Sequence, residues 1–237
     1  MSIPDAISRL TDYYSRHGFV ATVHRALVAA KRALFYNRMV LFYYDLADGI
    51  SDTSVFPSAI KVERVGNAAR LNSDDLQELT SFWNPKQVCR NIQERFRRGA
   101  SIWLVKVDDR LAGYGWTLRG DTIEPHYFPL GQDDVHLFDF HVLPEFRGRG
   151  LNPLLVTHIL STVATESGGR AFIEAAEWNQ AQLASLRKTP FRRLGLARLL
   201  TVFGHTLTSW SEKDAAGGPH EGLPGDNVLT IAKPHER

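Results

Sequence analysis

The chain has 237 residues, 43% hydrophobic and 23% charged, which is the balance of a globular domain and excludes a disordered one. A net charge of +2 is too small to mark a nucleic-acid surface, and the single cysteine, Cys89, excludes an internal disulfide and a cysteine-cluster metal centre. No run of 18 apolar residues predicts a membrane span, and the opening stretch MSIPDAISRLTDYY lacks a signal-peptide core, so a cytoplasmic protein is expected.

Residues 3–35 predict two helices. Ile7, Leu10 and Tyr14 form one apolar stripe and His17-Gly18 closes it; Val20, Val23, Leu27, Ala30 and Leu34 form the next. Arg25, Lys31, Arg32 and Arg38 make the second helix basic, which reads as a solvated face, or as a docking face for an anionic membrane or an acidic partner. Residues 39–46 (MVLFYYDL) predict a strand, and the loop Ala47–Pro57 is the best boundary. Residues 1–50 therefore read as a helical extension plus a strand, and 57–210 as the main domain.

Within that domain a strand is expected over 59–65, helices from the cap Asn72-Ser73-Asp74-Asp75 toward Phe82 and over 85–98, and a hairpin in IWLVKVDDRLAGYGWTL. Cys89 lies in the second of these helices, where packing is its expected role. A polar loop, 119–134, precedes an apolar strand at 135–142. Another strand follows at 170–176, a helix from Asn179 to Lys188, and strands within 194–210. Residues 211–237 read as a loop-like tail with an edge strand near 227–232. This order predicts an α/β fold whose central sheet is mixed, mostly antiparallel, and flanked by helices.

The stretch that organises the chain is VHLFDFHVLPEFRGRGLNPLLVTHILSTV, residues 135–163. It reads as strand, glycine-rich turn and helix. Pro144 stops the strand, and Arg147-Gly148-Arg149-Gly150-Leu151-Asn152 is the turn. Pro153 fits only the first helical turn, with Asn152 expected as N-cap. Glycines let backbone N–H groups converge, a helix N-terminus adds partial positive charge, and two arginines flank the turn; a pyrophosphate suits such a site. There is no Gly-Lys-Ser/Thr as in a P-loop, and no acidic residue at the distance a dinucleotide fingerprint requires.

Val142-Leu143-Pro144 followed by Arg147-x-x-Gly150 resembles motif A of the GNAT superfamily of N-acetyltransferases, with Asn152 where the motif has a small residue. A second stretch resembles motif B: Asn179, Lys188 nine residues on and Phe191 twelve on match, whereas Pro190 replaces glycine and Leu186 stands where many members carry the tyrosine that protonates the leaving thiolate. The resemblance covers roughly residues 57–210. It implies the GNAT fold, a bacterial source, acetyl-CoA as co-substrate without a metal, and direct acetyl transfer to a primary amine of a small molecule. A narrower resemblance to acetyltransferases of bacterial polysaccharide loci, in YFPL…FDFHVLPEFRG and WN…SLRKTPF, implies an amino sugar, nucleotide-linked or free, as acceptor.

The resemblance also implies site roles. Arg147, Gly148, Arg149, Gly150, Leu151 and Asn152 would hold the pyrophosphate, Val142 the pantetheine and thioester, and Asn179 the pantetheine or ribose side. Lys188, with Arg187 and Arg192, would meet the 3′-phosphate or form a solvated basic face. Transfer needs a proton acceptor working near neutral pH, which suits histidine. In this superfamily a base often lies four or six residues before the motif valine; Phe138 cannot serve and His136 can. By strand alternation His136, Phe138, Phe140 and Val142 share one face, and Leu137, Asp139 and His141 the other, unless a bulge shifts the parity. Asp139 is expected to contact the amine or to pair with His141. Glu124, His126 and Phe138 are expected to line the acceptor site, and Tyr127 to stand in for the missing thiolate acid.

Two other readings keep the fold. One takes the acyl group from an acyl-carrier protein or a long-chain donor, docked on Arg25, Lys31 and Arg32. The other is a domain that binds CoA or a partner without catalysis. A homodimer is expected of the superfamily.

Overall fold

The computed structural model describes residues 14, 18–24, 38–50, 57–81, 84–122, 126–202, 205–211 and 230–232. Most of the two N-terminal helices, the basic residues Arg25, Lys31 and Arg32, and Glu124 lie outside the described residues; residues 18–24 are helical.

Strand β1 (Arg38–Asp45) precedes β2 (Ile60–Val65), helices α1 (Ser73–Ser81) and α2 (Pro85–Arg97), and the hairpin β3 (Ser101–Val107) and β4 (Arg110–Arg119). Strand β5 (Val135–Val142), helix α3 (Leu151–Ala164), β6 (Arg170–Ala176), α4 (Gln180–Leu186), β7 (Arg192–Val202), β8 (His205–Ser211) and β9 (Thr230–Ala232) follow. All the strands join one sheet in the order β2-β3-β4-β5-β6-β1-β7-β8-β9. Among the described residues only β5 and β6 run parallel, so the sheet is mixed and mostly antiparallel, as the element order predicts.

The strand assigned to the extension lies in the middle of this sheet: β1 pairs with β6 along Met39–Asp45 and with β7 on its other edge. Its run Val40 to Tyr44 is buried throughout, because a central strand is covered on both faces. Strand β1 is thus part of the same sheet as the main domain.

Helix α3 covers one face of the sheet. Leu151, Leu155, Val156, Ile159, Leu160 and Val163 are all buried against it, each contributing about 2 kcal/mol of transfer free energy. On the same face the indole N–H of Trp103 donates to Thr117 Oγ1 at 2.9 Å, which satisfies a polar atom the core would otherwise strand. Helix α2 starts on Asn84, whose side chain accepts from the Gln87 N–H, and lies over the opposite face with α1. A second core, around Leu41, Tyr43, Tyr127, Phe128, Phe172, Leu194 and Trp210, covers the other half of the sheet with residues of the loop before β5.

Among the described residues no helix is long and apolar enough to cross a membrane.

Candidate active site at the parting of two strands

Strands β5 and β6 pair only at Val135–Leu137 with Ala171–Ile173. Beyond Leu137 they diverge, and Phe138 and Glu174 flank the first open register. The opening leads to the glycine-rich turn at the end of β5. Gly148 and Gly150 have φ of 78° and 74°, and a Cβ on either would meet open space. Glycine is therefore required there by backbone conformation, not by crowding. Gly150 is the N-cap of α3 and Asn152 lies inside its first turn, which corrects the expected cap. The Asn152 amide instead donates to Ser185 Oγ at 2.9 Å, joining the start of α3 to α4. Leu151 is buried, and Pro153 sits in the first turn as expected. Arg147 Nε donates to the Val142 carbonyl at 3.0 Å and closes the turn. Arg149 donates to the Glu145 carbonyl and stacks on Phe146, with its guanidinium carbon 5.3 Å from the ring centre.

A bulge reshapes β5. Between the pairs Phe138–Trp116 and His141–Tyr114, the single residue Gly115 of β4 faces both Asp139 and Phe140. Asp139 takes φ of 52°, a conformation aspartate tolerates better than most residues. A Cβ at Gly115 would stand 2.3 Å from the Phe140 ring, so glycine is what lets the bulge close. The extra residue inverts the alternation beyond it. His141 joins the face of His136 and Phe138, and Phe140 and Val142 turn to the face of α3, which corrects the parity expected for an unbroken strand.

On the bulged face lies a cavity of about 370 Å³, lined in part by Asn91, Arg95, Tyr114, Trp116, Asp139 and His141. Arg95 of α2 binds Asp139 at 2.5 Å and lies 5.0 Å over the Trp116 ring and 5.3 Å over Phe138. It pins the bulge to the helix, so Asp139 pairs with Arg95 at the cavity wall. Burial, reinforced by the Arg147 charge and opposed by Asp139, pushes the His141 imidazole below its ordinary range, so it is neutral at pH 7. Burial, with the Asp139 charge, pushes the Tyr114 phenol up, so it keeps its proton.

His136 lies deeper. It is 5% exposed, its ring is stacked on Phe138, and its Nε2 is 2.9 Å from a carboxylate oxygen of Glu174. The His126 ring is 5.0 Å from it. Burial pushes the His126 imidazole down to about 4, with the neighbouring His136 adding to the effect. Burial alone would raise the Glu174 carboxyl, but the charge and hydrogen bond of His136, with His126, leave it below its ordinary value.

The structure thus brings His126, His136 and Phe138 together at the parting of the strands, with Asp139 on the cavity side of the bulge. Tyr127 is buried in the second core, 5.5 Å from the His126 ring. Asn179 caps α4, accepting from the Gln182 N–H. Lys188 follows α4 and is exposed, whereas Arg192 binds Asp48 at 3.0 Å. Leu186, at the tyrosine position of motif B, is fully buried and serves the core. Sequence reasoning missed Arg95, Tyr114 and Glu174, which come from three different elements; only the three-dimensional fold unites them.

Residues 69–191, just over half of the chain, match the family model described as Acetyltransferase (GNAT) family. No curated protein matches the chain. Among solved structures it is similar to a putative GNAT acetyltransferase from Novosphingobium aromaticivorans (17% identity, covering 68% of this chain and 61% of that one, TM-score 0.45). It is also similar to a GNAT-family acetyltransferase from Colwellia psychrerythraea (11% identity, 66% and 52% covered, TM-score 0.47). A third is a Bacillus subtilis acetyltransferase solved in complex with CoA (16% identity, 60% and 78% covered, TM-score 0.41). The chain spans about three fifths of the first and half of the second of these structures. With strands parting above a glycine-rich helix N-terminus, and a family match running from before α1 to the end of the motif-B stretch, the chain belongs to the GNAT acetyltransferase family.

Proposed function

We propose that the protein is an N-acetyltransferase that takes an acetyl group from acetyl-CoA and passes it directly to a primary amine of a small molecule. The observation that carries this reading is the parting of β5 and β6 beyond Leu137, continuous with the turn at Gly148 and Gly150. Bound acetyl-CoA supplies an activated thioester. The turn would hold its pyrophosphate through the N–H groups at the start of α3, with Arg149 at its edge, and the open strand edges would hold the pantetheine.

The cavity on the bulged face is of small-molecule size, about 370 Å³. Its polar wall carries the cap residue Asn84, then Gln87, Asn91 and Arg95 of α2, together with Asp139, and planar amides and charged groups of this kind suit a hydroxyl-rich acceptor. This supports an amino sugar. His136 is the proton acceptor of this reading, buried at the closed end of the parting, on the same face of the sheet as the cavity-lining Trp116. Tyr114 keeps its proton and supplies the O–H donor that Leu186 lacks. During transfer His136 takes the ammonium proton, the freed amine nitrogen bonds to the acetyl carbon, the C–S bond breaks, and the second nitrogen proton passes to the departing thiolate, toward which the Tyr114 O–H donates a hydrogen bond.

The test is a thermal-shift titration with acetyl-CoA followed by transfer assays on an amine panel rich in amino sugars. Acetyl-CoA at 100 times its dissociation constant would add about 2.7 kcal/mol of stability. A Gly150→Asp chain that still binds acetyl-CoA as tightly as wild type would refute the pyrophosphate assignment.

A further inference from the structure

The closed end of the strand parting holds three titratable side chains from three segments. One nitrogen each from His126 and His136 and a carboxylate oxygen of Glu174 lie within 4.8 Å of one another. Glu174 belongs to β6, His136 to β5 and His126 to the loop before β5; β4 contributes apolar Leu118, which pairs with His136, and Trp116. Among the described residues, Glu174 and His126 are therefore the titratable groups that face His136. Among the described residues, two nitrogens here are buried without a hydrogen-bond partner, His136 Nδ1 and His126 Nε2.

The partners decide the tautomer. An ionised carboxylate can only accept, so the 2.9 Å contact is His136 Nε2–H donating to Glu174. The remaining ring nitrogen, Nδ1, then carries the lone pair, and it is the nitrogen left buried without a hydrogen-bond partner among the described residues. The separation also bears on the alternative of a metal centre: two ligand atoms on one tetrahedral zinc stand roughly 3.4 Å apart, whereas 2.9 Å is a hydrogen-bond length.

We propose that Glu174 is a positioning residue for acetyl transfer, holding His136 through Nε2–H so that Nδ1 is the atom that takes the proton from the attacking amine. The inference rests on His136 being the base and adds which atom acts and what orients it. The carboxylate does not itself take the proton. It fixes the ring, and its negative charge lies against the imidazolium formed when Nδ1 is protonated. His126 packs edge-on against Phe128 at 4.9 Å and closes one side of that pocket.

The experiment uses the full chain with acetyl-CoA and an amine acceptor identified by transfer assay. In wild-type protein labelled with ¹⁵N-histidine, His136 at pH 8 should show a protonated Nε2 and a bare Nδ1; the opposite tautomer would overturn the proposal whatever the variants do. Glu174→Gln should lower kcat on the order of 100-fold. It should also move the acidic limb of the kcat/KM profile to lower pH by about 1 unit, because the imidazolium loses its counter-charge. Its dissociation constant for acetyl-CoA should stay within about twofold, and Glu174→Asp should recover part of the rate. A merely structural role would lower the melting temperature without moving the pH limb. Activity lost on chelation and restored by Zn²⁺ would overturn the assignment in favour of a metal centre. If His136→Ala leaves kcat unchanged, the base reading itself falls. If His136→Ala is slow but Glu174→Gln keeps both rate and pH limb, only this inference falls.

Discussion

Two buried contacts between a basic and an acidic side chain, nearly equal in length, do different work. Lys106 of β3 meets Asp75 of α1 at 2.8 Å, and His136 of β5 meets Glu174 of β6 at 2.9 Å. In the first pair the acid side chain is 9% exposed and the base 16%; in the second, 21% and 6%. Lys106 has a second acid, Glu63, at 3.4 Å, so its charge is answered from two sides. His136 keeps one nitrogen with no hydrogen-bond partner among the described residues. A contact that leaves nothing unsatisfied ties elements together, whereas one that leaves a lone pair in a dry place is ready for chemistry. Burial and distance alone would not tell them apart.

The largest effect expected from breaking this comparison is on rate. His136→Ala should lower kcat by about 10²- to 10⁴-fold while acetyl-CoA still binds, as read by steady-state kinetics and a thermal-shift titration. Asp75→Ala should leave kcat of the folded enzyme within about twofold and instead strand a buried ammonium. The cost should be roughly 3 kcal/mol in urea unfolding, at the low end for a broken buried pair because Glu63 remains. Equal kinetic defects in both variants would erase the distinction.

The two contacts should also report at opposite ends of the pH scale. His126 has a folded value of about 4 against 6.5 unfolded, so between these the unfolded chain binds the extra proton and stability falls as pH falls. That window is worth roughly 3 kcal/mol and should show in urea melts at pH 7 and 4.5; His126→Gln should flatten it. The lowered Glu174 carboxyl adds stability that is lost only as pH drops further, through its folded value. For Lys106, burial alone would lower the ammonium, but the hydrogen bond and charge of Asp75, with Glu63, raise it overall. Its contribution is complete below 10.5 and disappears as pH rises through the raised value, which alkaline melts of wild type and Asp75→Ala would separate. The smallest effect is expected outside both contacts. Gly150→Ala places a side chain at φ of 74°, costing about 1–2 kcal/mol and weakening acetyl-CoA binding without moving either pH window.

The glycine-rich turn and its helix were legible because their signals are local: Pro144 as a stop, glycines in sequence, and a helical stripe. The hairpin and α1 and α2 were legible for the same reason. The bulge at Asp139 was not, because it depends on Gly115 of the neighbouring strand, and one extra residue reversed the side on which His141 emerges. Glu174 looked like an ordinary strand residue until β6 came alongside β5. Strand β1 read correctly as a strand and wrongly as an appendage, because its partners lie far along the chain.

That last point has a consequence for how the protein is made. Asp45 pairs with Arg170, more than 100 residues later, so β1 leaves the ribosome long before either flanking strand exists. The run MVLFYYD must wait, unpaired and apolar, until β6 and β7 are synthesised, a delay that slows folding and exposes an aggregation-prone edge. Deleting residues 1–50 would remove no residue of the cavity wall yet would leave β6 and β7 without the strand between them. Such a chain should fail to fold, not fold into a smaller enzyme.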